Sequence, residues 1–556
     1  MQLCYSQEKV ADQPAQFLQK ESAMQTHCTY VSYAQTNAFK PLITDYLAQA
    51  PSLQPFFSHS PSLQGIRNAI AKRSQFSTNR PLLVQQLQQQ YQGLTLSAAQ
   101  LNHLDMLHHE HTFTITTAHQ PNLFTGPLYF LYKIAHTIQL CKQLQQELPE
   151  NHFVPIYYMG SEDADLEELG HCTIGSKTYT WHTQQTGAVG RMLVDKALLK
   201  LIHEMELQIA VLPHGMQVIT LFKQCYTLGK SIQQATLELV HALFGHFGLL
   251  VLIPDNAALK KQFEPIVAKE LQTHFSHLAV TQTIQQLGKL YKVQAAGRDI
   301  NLFYLSANHR ERIVLSPQGL FEVKALQKQW TEAEILTELA EHPENFSANV
   351  ILRGLFQETI LPNIAFIGGG GELAYWLELK EVFAQAEVPY PVLILRNSFL
   401  FIPAKQQQLI QKLGLSAPTL FNQANTIINQ LVVQKSEQPV MLAPQIAQAN
   451  ALFSDIASTA SAIDSTLFAH TISLQKKLLY RLSELEKKML RAQKRKFSDT
   501  EQQIQQLKKI LFPNNNLQER VENFAGWYAQ YGDDWFNCLL QYSQGLEQQF
   551  GVVSLS

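Results

Sequence analysis

The stretch of residues 113–168 constrains the fold more than any other part of the chain. Residues 113–117 form a β-branched and aromatic run, the pattern of a buried strand. Gly126-Pro127 marks a turn, after which Leu128, Leu131, Tyr132, Ala135, Ile138 and Leu144 recur at helical spacing up to Pro149. A second apolar run, residues 153–159, ends in the acidic cluster Glu162, Asp163, Asp165, Glu167 and Glu168. Strand, crossover helix and strand in this order build a parallel sheet. In such sheets ligands bind beyond the carboxyl ends of the strands. The polar run His119-Gln120-Pro121-Asn122 and the acidic cluster are therefore both expected on that edge, facing one site.

Residues 349–401 repeat the plan. Residues 364–367 read as a short strand, Gly368, Gly369, Gly370 and Gly371 as a loop, and residues 372–386 as an amphipathic helix. The next strand, residues 392–395, ends in Arg396-Asn397-Ser398. Consecutive glycines let backbone amides turn inward at a helix start, where partial positive charge favours a phosphate or carboxylate. The run is neither GxGxxG nor GxxxxGK[ST], and Glu372 would repel an anion as readily as it caps the helix. Tight strand–helix packing asks for the same glycines, so both readings stay open.

Composition excludes several classes. With 556 residues a large core is easily buried, and two to four domains are expected. The formal net charge of −2 argues against a nucleic-acid or membrane binder held by overall charge. Cys4, Cys28, Cys141, Cys172, Cys225 and Cys538 are scattered without a CxxC pair, a reduced, cytoplasmic pattern. The opening MQLCYSQEKV lacks the basic-then-apolar order of a secretory leader, and no segment approaches the ~20 apolar residues of a membrane span.

Elsewhere the reading is coarser. Residues 1–112 look mainly helical, with 81–91 and 97–107 the better candidates. Pro81 suits a first helical turn, and Ser97 with Gln100 resembles a capping box. His103, His108, His109 and His111 crowd together, but no cysteine or well-spaced carboxylate completes a metal set, which favours a solvated linker. Residues 172–195 suggest a small β excursion, 198–246 helices, 248–253 another buried parallel strand tipped by Asp255, 260–290 helix, and 291–328 short strands. From residue 454 to 498, Ile456, Ile463, Leu467, Leu474, Leu478 and Leu485 follow coiled-coil steps without Gly or Pro, predicting one long helix with a basic end at Lys494, Arg495 and Lys496. Ser498 with Glu501 predicts a capped second helix through Leu511, the pair forming an antiparallel hairpin. Residues 517–542 read as an aromatic helical segment docked on the core or walling a pocket.

The clusters support definite chemistry. His119, Gln120 and Asn122 at a strand-to-helix turn could hold a phosphate or polarise a carbonyl, although turn and helix-entry positions ask for similar residues. Glu162, Asp163 and Asp165 could take Mg²⁺, recognise an amine or sugar hydroxyls, or act as general base; an acidic helix start has the same composition. GxSxG, HExxH and zinc-ribbon patterns are absent from the sequence.

Several long segments, in order, resemble the bacillithiol synthase (BshC) family, the cysteine-adding ligases of bacillithiol biosynthesis. They are TAHQPNLFTGPLYFLYK (residues 117–133), VPIYYMGSEDADLEE (154–168), NVILRGLFQETILPNIAFIGGGGELAYWLELK (349–380), VPYPVLILRNS (388–398), RAQKRK (491–496) and LQERVENFAGWYAQYG (517–532). The resemblance implies an α/β fold, with a Rossmann-like parallel-sheet core carrying inserted connecting segments and a C-terminal α-helical coiled-coil arm that mediates homodimerisation. On that plan residues 1–112 pack on the core and 113–175 are its first half. Residues 176–247 and 291–345 are insertions, 248–290 a core strand and helix, and 346–444 the second half. Residues 445–516 are the arm and 517–556 a helical end.

The implied reaction joins L-cysteine to the amino group of glucosaminyl-malate, with ATP activating the carboxyl, ADP as a possible ligand and Mg²⁺ as a possible companion. His119, Gln120, Glu162, Asp163 and Asp165 are then the candidate catalytic residues. Asn122, Gly126, Gly368, Gly369, Gly370, Gly371, Glu372, Arg396 and Asn397 would line the cleft, and Arg520, Asn523, Tyr528 and Tyr531 would wall a second nucleotide pocket near the arm. This chain departs from TGQQ and EDHDF, the form of other members, at Ala118, His119 and Ala164, and lacks an HxGH and KMSKS pair. A nucleotidyltransferase on the same core and a non-catalytic scaffold or RNA-binding protein with a basic coiled-coil arm are the competing readings.

Overall fold

A computed structural model describes residues 24–436 and 441–555; Cys4 and the N-terminal run quoted above lie outside them. Strand β1 (Thr26–Ser32) stands apart from the central sheet. That sheet is built from β2 (Thr112–His119), β3 (His152–Met159), β4 (Leu250–Leu252), β5 (Asn363–Gly368) and β6 (Val392–Leu395), in spatial order β6-β5-β2-β3-β4 and parallel throughout. Burial of β2 is nearly continuous, as expected of a strand covered on both faces by crossover helices. Register is level at the carboxyl ends: Thr117 pairs with both Tyr157 and Ile367, and His119 with Met159.

Helix α1 (Arg80–Gln90) closes the exposed edge of the sheet. Gln90 donates to the Val251 carbonyl at 2.7 Å and accepts from the Ile253 amide at 2.8 Å, while the Tyr91 hydroxyl accepts from the Val251 amide at 2.7 Å. Helix α2 (Tyr129–Glu147) is the crossover between β2 and β3 and is almost wholly buried in its first half. Helices α3 (Val350–Ile360) and α4 (Gly370–Trp376) flank β5. Residues 372–386, read as one helix, divide into α4 and a separate helix Lys380–Gln385.

Strands β7 (Ser398–Ile402) and β8 (Gln549–Leu555) join β1 in a small second sheet of order β1-β8-β7. The sequence reading has no strand in either terminal region. Strands β1 and β8 pair with each other across more than 500 residues, so no local turn signal announces them.

The arm also differs from expectation. Helix α5 (Ala424–Lys435) supports its base, and α6 (Ala443–Ile463) and α7 (Thr466–Lys494) form the hairpin. The predicted single helix breaks at Asp464, whose backbone is extended and whose carboxylate accepts from Thr466 N and Oγ1, both at 2.8 Å. An Asx turn of this kind needs neither Gly nor Pro. Helix α8 (Ser498–Leu511) continues α7 through a single 3₁₀ turn, so Ser498 is a helical residue and caps nothing.

A buried polar belt pins the start of the sheet. Thr114 and Thr116 donate to Asn363 Oδ1 at 3.2 and 2.8 Å, Asn363 donates to Glu358 at 2.7 Å, and Glu358 is paired with Arg73 at 2.7 Å with both side chains fully inside. Arg73→Met would leave the Glu358 carboxylate buried without its countercharge, at a cost of about 3–5 kcal/mol. Urea unfolding is expected to show a lower midpoint at unchanged slope, with much of the loss recovered in Arg73→Met/Glu358→Gln. An unshifted midpoint in the single variant would show that the pair contributes nothing.

Candidate active site

The level register sets the tips of β3, β2 and β5 side by side, so the loops that follow them meet. Lys133, on the crossover helix and 2% exposed, donates to the Ala118 carbonyl at 2.8 Å and is ion-paired with Glu372. Glu372 in turn accepts from the Gly369 amide at 2.8 Å. One buried ammonium thus holds the end of β2 to the glycine loop. Within that loop the residues differ in role. A Cβ on Gly368 would meet the Phe366 and Leu373 side chains at 2.7 and 2.9 Å, so tight packing explains it. Gly371 is exposed with open space where its Cβ would stand. Gly370 lies against Ile43, and Gly369 lies within 3.6 Å of Arg396 Nε, measured from its ideal Cβ.

The His119 ring sits edge-on to Tyr129 and Phe130, at centroid distances of 5.3 and 5.4 Å. Its Nε2 is buried and has no hydrogen-bond partner. Burial first, and then the charges of Lys133, Arg353 and Arg396, hold the ring well below the usual histidine value of 6.5. The imidazole is therefore neutral near pH 7. Arg396 spans the other side of the cleft: it is paired with Glu519 at 2.6 Å, donates to the Asn397 carbonyl and Ser398 Oγ, and lies 5.2 Å from the Tyr129 ring centre.

The run after His119 is a strained and latched loop. Phe124 (φ 53°) and Thr125 (φ 71°) both occupy the left-handed region, unusual for a β-branched threonine, and Gly126 follows at φ 61°. A side chain at Gly126 would collide with Asn122 at 2.8 Å. Asn523 Nδ2 donates to the Phe124 and Gly126 carbonyls at 2.8 and 2.6 Å, and Tyr226 accepts from the Phe124 amide at 3.1 Å. Within the loop, Asn122 Oδ1 and Thr125 Oγ1 are buried without partners. Gly126 is thus a backbone requirement and Asn523 the latch.

The acidic loop divides its carboxylates. Asp163 accepts from Gln120 Nε2 at 3.1 Å and lies 3.7 Å from Arg310, joining the two polar clusters directly. Glu162 turns away to Lys260, and also accepts from Ser347 at 2.9 Å. Asp165 caps the short helix Leu166–Leu169 through the Glu168 amide at 3.1 Å. The three carboxylates therefore do not converge as a Mg²⁺ cage. Among the described residues, no group of three or more His, Cys, Asp or Glu side chains could hold a metal ion, the early histidines included. His103 bonds the Gly248 carbonyl at 2.7 Å.

The remaining candidates are more dispersed. Asn397 is turned to the core, its amide donating to His136 Nδ1 at 3.0 Å and its Oδ1 accepting from the Gln544 amide at 2.9 Å. His136 uses its other nitrogen on the Gly545 carbonyl at 2.6 Å; burial lowers it to about 4, a satisfied core histidine. Tyr528 is committed to Asp533 at 2.6 Å, Tyr531 stacks on Trp527 while half-buried, and Arg520 is exposed.

Sequence reasoning missed Lys133, Arg353 and Tyr129. Lys133 and Arg353 each stand as a lone cation inside an apolar run, LYKIA and ILRGLF, and that was the available signal. Arg353, on α3, donates to the Tyr375 hydroxyl and lies within electrostatic reach of Tyr158, Glu372 and His119.

Comparisons with known proteins agree with this architecture. The family model described as "Bacillithiol biosynthesis BshC, N-terminal Rossmann-like domain" matches residues 24–397, and that described as "Bacillithiol biosynthesis BshC, C-terminal coiled-coil domain" matches residues 399–555. The boundary falls between β6 and β7, where the chain leaves the central sheet for the second one. Relatives from several bacteria carry the name "Putative cysteine ligase BshC". One from Flavobacterium johnsoniae is 39% identical over 96% of this chain and 100% of its own length. One from Christiangramia forsetii is 39% identical over 96% and 99%, and one from Cytophaga hutchinsonii 37% identical over 87% and 91%. With its Rossmann-like core, its coiled-coil arm and relatives matched nearly end to end, the chain belongs to the bacillithiol biosynthesis BshC family.

Proposed function

We propose that the protein is a cysteine ligase that joins the carboxyl of L-cysteine to the amino group of glucosaminyl-malate, with the carboxyl activated by ATP. The name its relatives carry supports the cysteine ligase reading. The observation that carries the chemistry is a neutral, half-buried imidazole, His119, whose Nε2 is buried and free, within reach of the cations Lys133, Arg353 and Arg396 at the carboxyl edge of a parallel sheet.

Each part has a task. The cations and the glycine-loop amides would hold the anionic groups of the substrates, the malyl carboxylates or the phosphates of the nucleotide. Asp163, held by Gln120 and facing Arg310, would orient the ammonium of cysteine or the amino sugar. His119 can accept a proton because its neighbours keep it unprotonated. As the amine nitrogen bonds the acyl carbon, the phosphate-bearing oxygen leaves with the bonding pair and the amine proton passes to Nε2. The glycine-loop amides and Arg353, which has no carboxylate partner among the described residues, fit an anionic nucleotide at this edge. Any Mg²⁺ would come with the phosphates, since the acidic loop gathers no cage.

The arm is proposed to pair two copies of the chain. Ile463 is 79% exposed, Leu452 57%, Phe468 49% and Leu474 43%, an apolar face without a partner in a single chain. That no helix of the described residues is long and apolar enough to cross a membrane fits an arm that meets protein.

Purified protein with cysteine, glucosaminyl-malate and ATP is expected to yield a thiol-bearing condensation product by mass spectrometry. Pyrophosphate release without that product would overturn the ligase reading in favour of nucleotidyl transfer. His119→Asn is expected to lower kcat by ~10²–10⁴-fold with folding intact. Under saturating substrates kcat should hold level as pH falls through 6.5, dropping only below it, because His119 must lose its neutral form to stop working and that form persists to lower pH. A fall centred at 6.5 would remove His119 as the base. Leu474→Asp/Leu478→Asp is expected to halve the mass measured by light scattering, and an unchanged mass would remove the arm from assembly.

A further inference from the structure

Among the described residues, the buried and half-buried cations at the carboxyl edge of the sheet pair off with carboxylates almost completely. Lys133 takes Glu372, Arg396 takes Glu519, Arg191 forks onto Asp255 at 2.6 and 2.7 Å, Lys260 takes Glu162, and Arg310 faces Asp163. Arg353 is the exception. Its one hydrogen bond goes to the neutral Tyr375 hydroxyl, and among the described residues no carboxylate lies within ion-pair distance of it. Glu372, the acid in its electrostatic reach, is already engaged by Lys133 and the Gly369 amide. A guanidinium carries five donors in a planar fork, so most of this one's capacity is unused. Arg353 is half-buried, and a charge partly removed from water without a countercharge carries a cost that a bound anion would offset.

A second observation points to the same place. The neighbouring His119 Nε2 is a buried ring nitrogen without a partner, and its ring is under the direct influence of the Arg353 charge. Two separate parts of the chain, β2 with His119 and α3 with Arg353, therefore bring groups with spare polar capacity within electrostatic reach of one another. A cation and an unprotonated ring nitrogen suit a substrate whose oxyanion meets the cation and whose reacting amine meets the nitrogen.

We propose that Arg353 is the docking residue for an oxyanion of the substrate, engaging two of its oxygens through the guanidinium fork. The inference rests on the reading of this cleft as the ligase site and adds the anchor that positions the substrate against His119. Arg353 is a binding and positioning residue: the proton goes to His119, and no bond is made to Arg353. The shared chemistry is that of a carboxylate or a phosphate, and the two sources are told apart by the probe that binds.

The experiment titrates the full-length protein with L-malate, and separately with inorganic phosphate, by calorimetry at low salt. At least one probe is expected to bind saturably, with affinity lowered tenfold or more in Arg353→Gln and only partly restored in Arg353→Lys, which keeps the charge and loses the fork. Binding of malate alone identifies a carboxylate anchor, and binding of phosphate alone a phosphate anchor. Without ligand, the melting temperature of Arg353→Gln is expected at or above that of the unaltered protein, because an uncompensated cation has been removed; a structural arginine would give a clear drop. Equal affinities in the unaltered protein and Arg353→Gln, no saturable binding of either probe, or a destabilised Arg353→Gln would overturn the proposal. Arg353-dependent binding in a protein that makes no thiol product would leave the anchor standing and discard the ligase reading.

Discussion

Lys133 is the contact on which the candidate site depends. Its ammonium is buried on a crossover helix, where it would be expensive to leave unpaired, and it meets two structures that are more than 200 residues apart in the chain: the Ala118 carbonyl at the end of β2 and Glu372 at the start of α4. Because Glu372 also takes the Gly369 amide, the glycine loop, the tip of β2 and the crossover helix form one rigid unit. Their relative position is what leaves His119 beside the loop. Loss of Lys133 would also remove one of the charges that hold His119 neutral, so structural and electrostatic effects at this residue are inseparable.

Much of this was legible in the chain. The β–α–β pattern of residues 113–168 predicts a parallel sheet, and the placement of His119, Gln120 and Asp163 on one edge follows from the direction of the strands. Direct contact between Gln120 and Asp163 is the finest-grained result of that reasoning. What stayed hidden shares a cause. Strands β1 and β8 are separated by nearly the whole chain, and pairing at that distance leaves no trace in local periodicity. The break at Asp464 is a side-chain cap, weaker than Gly or Pro as a sequence mark. The separate duties of Glu162, Asp163 and Asp165 follow from partners, Lys260, Gln120 and Glu168, whose proximity the order of residues does not show.

The loop that carries Asn122 shows how strain and function are balanced. Two consecutive non-glycine residues in the left-handed region are costly, of order 1–3 kcal/mol each, and persist only where surrounding contacts over-determine them. Asn523 supplies much of that determination through two carbonyls, while Phe124 is wedged against Phe222 and Tyr226. Asn523 belongs to the C-terminal domain and the loop to the N-terminal one. The two domains are therefore joined at the site itself, and the aromatic segment after residue 517 shapes the cleft by holding a loop, whatever else its exposed residues bind.

Pairing logic then separates structure from site. At the opposite end of the sheet, Arg73, Glu358, Asn363, Thr114 and Thr116 bond one another and the Glu358 and Pro389 carbonyls, a network in which the one cation has its carboxylate. At the carboxyl end the same accounting leaves a guanidinium without a carboxylate, a ring nitrogen without a donor or acceptor, and two further buried oxygens on Asn122 and Thr125 without partners. Buried polar atoms without partners occur at both ends, Arg73 Nε and Thr112 Oγ1 among them, so they alone do not mark the site. The unpaired charge does: Arg73 has Glu358, and Arg353 has, among the described residues, only the Tyr375 hydroxyl. A folded chain tolerates such a charge where a ligand supplies the missing half.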